Sequence, residues 1–187
     1  IAAGLLLGAS ADAGAEQRTL TAGGEYAASA TSAPDASSNP AAIYATLPLA
    51  FELNVGQGGQ GVDFLARGSG YGIELDAGDA TLTFATAEGQ RQVTLSLVGA
   101  RAGVQAEGEG LLAGRTNYIV GNDPAKWHTN IANYTGVAYR GVYEGVDVRY
   151  YGTQRQLEYD FVVAPGADAV AIRLRFDGIA GARVGAN

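Results

Sequence analysis

From Leu47 onward, apolar and polar residues alternate with a period of two in short runs that end at glycine or aspartate. Phe51, Leu53 and Val55 alternate with Glu52 and Asn54. Such alternation puts every second side chain on one face of an extended chain, so it predicts half-buried strands. Val62, Phe64 and Ala66 follow the pattern less cleanly. Gly68-Ser69-Gly70 then turns the chain into Tyr71, Ile73 and Leu75, which predicts a hairpin. Asp76-Ala77-Gly78-Asp79 turns it again into Leu82 and Phe84. Glu88-Gly89 leads on into Val93, Leu95 and Leu97, with Thr94 and Ser96 facing away, which makes a four-strand meander.

After a weaker stretch from Gly99 to Gly114, strands resume at Asn117–Val120, Val146–Tyr151, Leu157–Val163 and Ala171–Phe176, and no run has a helical period. In the last two strands Leu157, Tyr159, Phe161 and Val163 oppose Glu158 and Asp160, and Ile172, Leu174 and Phe176 oppose Arg173 and Arg175. If these strands pair as a hairpin, a register with Asp160 opposite Arg173 and Glu158 opposite Arg175 satisfies both burial and charge. Roughly eight to ten short strands with turn signals between them predict an all-β antiparallel sandwich, with a barrel as the structural alternative.

Residues 16–46 are rich in Ala, Ser, Thr and Gly and show no period. A stretch so poor in large apolar side chains cannot offset the cost of ordering it, so it reads as a flexible linker. Residues 1–15 carry the apolar run Ile1-Ala2-Ala3-Gly4-Leu5-Leu6-Leu7-Gly8-Ala9, then small-x-small triplets such as Ala11-Asp12-Ala13. They read as the remnant of a secretory signal peptide. The run is shorter than the ~20 apolar residues a transmembrane helix needs. Residues 47–187 are expected to form the β-sandwich domain. Val184-Gly185-Ala186-Asn187 follows what reads as the start of another strand, so the domain is expected to be truncated at its C-terminus.

The 187 residues include 12 Lys+Arg against 19 Asp+Glu, a net charge of −7, with one His and no Cys or Met. Without cysteine there is no disulfide framework, thiolate metal site or Cys nucleophile. Scattered cations cannot displace counterions from phosphate as a basic patch does, so nucleic acid is not an expected partner. No cofactor is expected either.

Several motifs admit a chemical and a plainer reading. Gly56-Gln57-Gly58-Gly59-Gln60-Gly61 matches G-x-G-x-x-G, but the following residues alternate as a strand where a dinucleotide site needs a helix, so a glycine-rich loop is expected. Ser69 lacks the G-x-S-x-G elbow of a serine hydrolase. Glu158 and Asp160 resemble the carboxylate pair of a glycosidase, although alternation produces such pairs on any polar sheet face. Asp76, Asp79, Asp123 and Asp147 are oxygen ligands suited to calcium, but no loop motif frames them and turn roles are expected. Trp127, beside Lys126 and His128, suits a sugar-stacking platform, against the reading that the Asn122-Asp123-Pro124 turn tucks the indole over the sandwich edge.

Seven of the ten tyrosines fall between Tyr118 and Tyr159. With Trp127, the run Tyr134, Tyr139, Tyr143, Tyr150 and Tyr151 is the candidate binding surface, because tyrosine offers large contact area at low entropic cost. The alternative is that these rings fill the space between sheets.

Leu47-Pro48-Leu49-Ala50-Phe51-Glu52-Leu53-Asn54-Val55-Gly56-Gln57, Val62-Asp63-Phe64-Leu65-Ala66-Arg67-Gly68, Asn117-Tyr118 to Trp127, Val142-Tyr143-Glu144-Gly145-Val146-Asp147 and Leu157-Glu158-Tyr159-Asp160-Phe161-Val162-Val163-Ala164-Pro165-Gly166-Ala167 resemble, in that order, the N-terminal β domain of bacterial SBBP (seven-bladed β-propeller repeat) proteins. The resemblance runs from about Leu47 to Gly178 and implies a secreted or cell-surface protein with propeller-type repeats downstream. It brings no catalytic or ligand residues, and the sequence stops before any repeat. Two functions are therefore expected. One is a non-catalytic extracellular module that presents or docks downstream domains of the same polypeptide and binds protein or glycan. The other is a carbohydrate-binding module of, or accessory to, a carbohydrate-active enzyme, with Trp127, the tyrosines, Glu158 and Asp160 as its site.

Overall fold

The computed structural model describes residues 2–3, 47–68 and 70–179. The expected signal remnant and linker, apart from Ala2–Ala3, lie outside the described residues, as do Ser69 and the last eight positions. The chain is all-β. Its strands are β1 (Ala2–Ala3), β2 (Phe51–Leu53), β3 (Phe64–Gly68), β4 (Tyr71–Asp76), β5 (Asp79–Thr86), β6 (Gly89–Leu97), β7 (Ala106–Tyr118), β8 (His128–Tyr143), β9 (Val146–Thr153), β10 (Gln156–Val163) and β11 (Leu174–Asp177). Two single 3₁₀ turns, Pro124–Lys126 and Ala169–Ala171, are the helical segments among the described residues. No helix among them is long and apolar enough to cross a membrane.

All pairings are antiparallel, in the order β1-β10-β9-β8-β2-β3-β4-β5-β6-β11, with β7 on β8. The meander read from alternation is present as β3 to β6, and its first hairpin pairs Phe64 with Leu75 and Ala66 with Ile73. β8 joins two layers. β7 lines one side of β8, while the other side is shared by β2 at Tyr134 and Asn133 and by β9 between Gly136 and Tyr143. The segment before β2 bridges to the end of β9, with Leu49 N–H donating to Gly152 O at 3.0 Å and Gln154 N–H to Leu47 O at 2.9 Å.

The sheet therefore curls so that β9–β10 face β3–β6, and one core fills the space between them. Phe51, Leu75, Tyr139, Val142, Val148 and Tyr150 are fully buried there. Three tyrosine hydroxyls cross the core to backbone or carboxylate on the opposite layer. Tyr150 donates to Gly78 O at 2.7 Å, Tyr139 to Asp63 Oδ2 at 3.1 Å, and Tyr143 reaches the carbonyls of Val98 and Arg173 at 3.1 and 3.2 Å. A buried polar atom left unpaired costs about 1–3 kcal/mol, so these bonds fix how the layers sit on one another.

β8 changes face midway. Tyr134 packs on the core edge-to-face with Phe64, centroids 5.8 Å apart, while Val137 and Tyr139 are the core residues further along. Three residues separate Tyr134 from Val137, and an odd step breaks the period of two. The break sits at Thr135. The ladder to β7 runs Glu109↔Gly136 and Leu111↔Tyr134 on either side of it, and the opposing Gly110 has φ +65°, a conformation that favours glycine. This is where the strand passes from one layer to the other.

Two sequence expectations are corrected here. Leu157–Val163 does not pair with Ala171–Phe176. β10 pairs β9 with Asp160 opposite Arg149, and β11 pairs β6 with Leu174 opposite Leu97. An exposed charge pair contributes at most about 1 kcal/mol, less than half-burying Leu174 and Phe176 against the core at the β6 edge. Arg175 instead meets Asp177 on its own strand at 2.9 Å. The stretch read as weak from Gly99 to Gly114 holds most of β7, and the two longest strands, β7 and β8, were not legible as strands over most of their lengths.

Candidate functional site

The candidate tyrosines divide between the two faces of the sheet. Tyr139, Tyr143 and Tyr150 are core residues with 0, 6 and 0 % exposure, which corrects the expectation that they form an exposed recognition surface. Burial is the first cause that pushes the hydroxyls of Tyr139 and Tyr150 far above the ordinary phenol range, followed for Tyr139 by the nearby Asp63 and for Tyr150 by Asp79. Tyr134 is half-buried against Phe64. Tyr151 alone of the five points to the outer face of its layer, because Val146, Val148 and Tyr150 take the inward positions of β9.

On that outer face lies a cleft of about 340 Å³ lined by Glu109, Thr135, Gly136, Arg149, Tyr151 and Asp160, with Pro48 and Gly152 at its side. Local sequence explains why it is there. The face change at Thr135 brings Gly136 to the outer side, opposite Tyr151 in the β8–β9 register, and glycine leaves the floor without a side chain. β9 then supplies Arg149 and Tyr151 from alternate positions, β10 supplies Asp160 opposite Arg149, and β7 supplies Glu109 opposite Gly136.

The electrostatics of the cleft are uneven. Arg149 closes on Glu109 Oε2 through Nε at 2.7 Å and Nη2 at 2.6 Å, and Arg140 Nη2 holds the other oxygen of Glu109 at 3.0 Å. Arg140 also meets Asp147 at 3.0 Å and Glu107 at 3.4 Å; the hydrogen bond to Asp147 does most to raise its guanidinium pKa. Asp160 stands apart from these ion pairs. Its Oδ2 accepts from the Tyr151 hydroxyl at 3.2 Å, while its Oδ1 is buried without a hydrogen-bond partner. Burial, then Asp160 and Glu158, raises the Tyr151 hydroxyl pKa and keeps it a donor. Glu158 accepts from Gln156 Nε2 at 2.6 Å.

The other sequence candidates lie elsewhere. Trp127 is half-buried beyond the start of β8, its indole N–H donating to Gly121 O at 3.2 Å, in a turn where Asp123 Oδ1 accepts from Ala125 N–H. Nine residues of extended chain, roughly 30 Å, separate it from Gly136, so it does not join Asp160 and Tyr151. The glycine-rich loop is closed on itself: Asn54 Oδ1 accepts from Gly56 and Gly58 N–H at 3.1 and 2.9 Å, and Asn54 Nδ2 donates to Gly59 and Val62 carbonyls. Asp76 and Asp79 meet across the β4–β5 turn, where Asp79 accepts from Leu97 N–H at 2.8 Å, and Asp147 accepts from Gly141 N–H at 2.7 Å. Glu109, Thr135 and Arg149 were missed from sequence because Glu109 falls in the weak stretch and the glycine floor is set by the irregularity in β8.

Residues 51–187 match a family model described as a domain of unknown function (DUF7948). No curated protein and no solved structure matches the chain.

Proposed function

This chain belongs to the DUF7948 family, and we propose that its β domain is a non-catalytic extracellular module at the N-terminal end of a larger bacterial secreted or surface protein, where it docks propeller-type repeats of the same polypeptide. The observation that carries this reading is the outer edge of β7. Its 13 residues pair with β8 on one side and, among the described residues, with no strand on the other. Such an edge presents a row of backbone donors and acceptors that an extended segment can complete as an added strand. Gly110 and Gly114 are exposed along the strand, and Leu111, 60 % exposed, offers an apolar anchor. The resemblance to SBBP proteins supports the occupant, and the apolar start followed by small-x-small triplets supports export.

Hydrogen exchange on the chain, alone and mixed with separately produced downstream repeats, tests the proposal. Protection of the amides of β7 is expected on mixing, and unchanged exchange along Ala106–Tyr118 would contradict it. The carbohydrate-binding reading is favoured by one separate observation, the cleft beside Asp160.

A further inference from the structure

We infer that the cleft between β7, β8, β9 and β10 is a subsite for a neutral saccharide, held by Asp160, Arg149 and Tyr151. The inference deepens the carbohydrate reading and does not depend on what docks at β7. Four observations lead to it. The first is space: about 340 Å³ over a floor of Gly136 falls within the ~300–1,000 Å³ of small-ligand pockets. The second is an acceptor with a lone pair to spare, since Asp160 lines the cleft and its Oδ2 takes one hydrogen bond, from Tyr151. The third is an unfilled donor. Arg149 is 45 % exposed and uses Nε and Nη2 on Glu109, and among the described residues its Nη1 meets no acceptor. The fourth is the ring of Tyr151, whose hydroxyl is anchored on Asp160 so that the ring is held as one wall.

Together these features select the ligand class. A cation would complete Asp160 but meet the Arg149 guanidinium, and an anion would complete Arg149 but meet Asp160 and Glu109. A hydroxyl group is donor and acceptor at once, and adjacent hydroxyls on a pyranose can give a proton to Asp160 while accepting one from Arg149. The apolar face of the same ring then packs on Tyr151. Trp127, roughly 30 Å along the strand, has no part in it.

The test uses the whole chain on an array of neutral and charged oligosaccharides, then titrates any oligosaccharide it retains against variants. Saturable binding to neutral oligosaccharides is expected. Asp160→Asn should weaken it about tenfold or more, the loss of one hydrogen bond to a charged group, and Tyr151→Ala should weaken it comparably. Trp127→Ala should leave it unchanged. Thermal melts show which variants fold. Should Asp160→Asn fail to fold, Tyr151→Phe, which keeps the ring and frees Asp160 Oδ2, is expected to bind several-fold more weakly. Retention of charged glycans alone, no retention by a folded chain, or binding indifferent to both Asp160 and Tyr151 would each overturn the inference. Any of these results together with β7 protection by the repeats would leave the docking proposal standing.

Discussion

Tyr150 and Tyr151 are neighbours in β9 that face opposite sides of the sheet, and the contrast separates what holds this protein together from what it presents. Tyr150 is fully buried, packs edge-to-face on Tyr139 with centroids 6.3 Å apart, and donates to Gly78 O across the core. Tyr151 sits over a floor of glycine with its hydroxyl on Asp160. Identical side chains one residue apart thus serve the fold on one face and an open cleft on the other. Tyrosine content alone could not tell recognition from packing; the parity of each position along the strand does.

The strongest way to break the contrast is truncation. Tyr150→Ala should cost about 3–5 kcal/mol, the range for emptying a large buried aromatic site, whereas Tyr151→Ala should cost less than about 1 kcal/mol. Urea unfolding of the two variants compares them directly, and equal losses would erase the distinction. Next is the hydroxyl alone. Tyr150→Phe leaves Gly78 O without its donor and should cost about 1–3 kcal/mol, with little change in the dependence on denaturant.

Alkaline pH provides a third probe. Burial pushes the hydroxyl of Tyr71 up to about 12. That of Tyr118 also reaches about 12, through burial and then the hydrogen bond it donates to Glu52 at 2.6 Å. In the unfolded chain these groups ionise near the ordinary value of 10.0. Below pH 10 both states are protonated and the fold keeps its full stability. Between 10 and 12 only the unfolded chain releases the protons, so stability falls as pH rises. Melting temperatures should be level up to about pH 9 and drop beyond pH 10, and a level profile to pH 12 would contradict the burial of these rings.

The smallest effect is expected at the β4–β5 turn. Burial, then Asp63 and Asp79, raises the Asp76 carboxyl pKa above 3.8. A raised acid favours the fold most when protonated and loses that contribution as pH climbs through its folded pKa. Asp76→Asn should therefore raise the melting temperature slightly at neutral pH and have no effect below the ordinary carboxylate range. A destabilised variant at neutral pH would show that the turn needs the charge.

How much of this was legible in the sequence follows from the same parity. β3 to β6 alternate cleanly and end at Gly and Asp turns, so their order and first hairpin could be read directly. β7 escapes because its side chains are largely exposed on both faces and glycines interrupt them, leaving no alternation to detect. β8 escapes because its core-facing residues change parity between Tyr134 and Val137, while Ile131 and Asn133 are buried outside that core, so no single alternation runs along it. The same change turns Gly136 outward and opens the cleft, so the feature that hid the strand also built the site. Asp160 and Tyr151 were named as candidates on separate grounds, one for its charge and one for its ring. Their pairing needed the β9–β10 ladder, and that ladder was obscured by a plausible charge match between Asp160 and Arg173.

The most direct test of the division between inner and outer face is a backbone and aromatic NMR titration with a neutral oligosaccharide retained on the array. Shifts centred on Thr135, Gly136, Tyr151 and Asp160, with the Tyr139 and Tyr150 rings unmoved, are expected. Shifts centred on the Trp127 turn, or spread through the tyrosine core, would contradict the account.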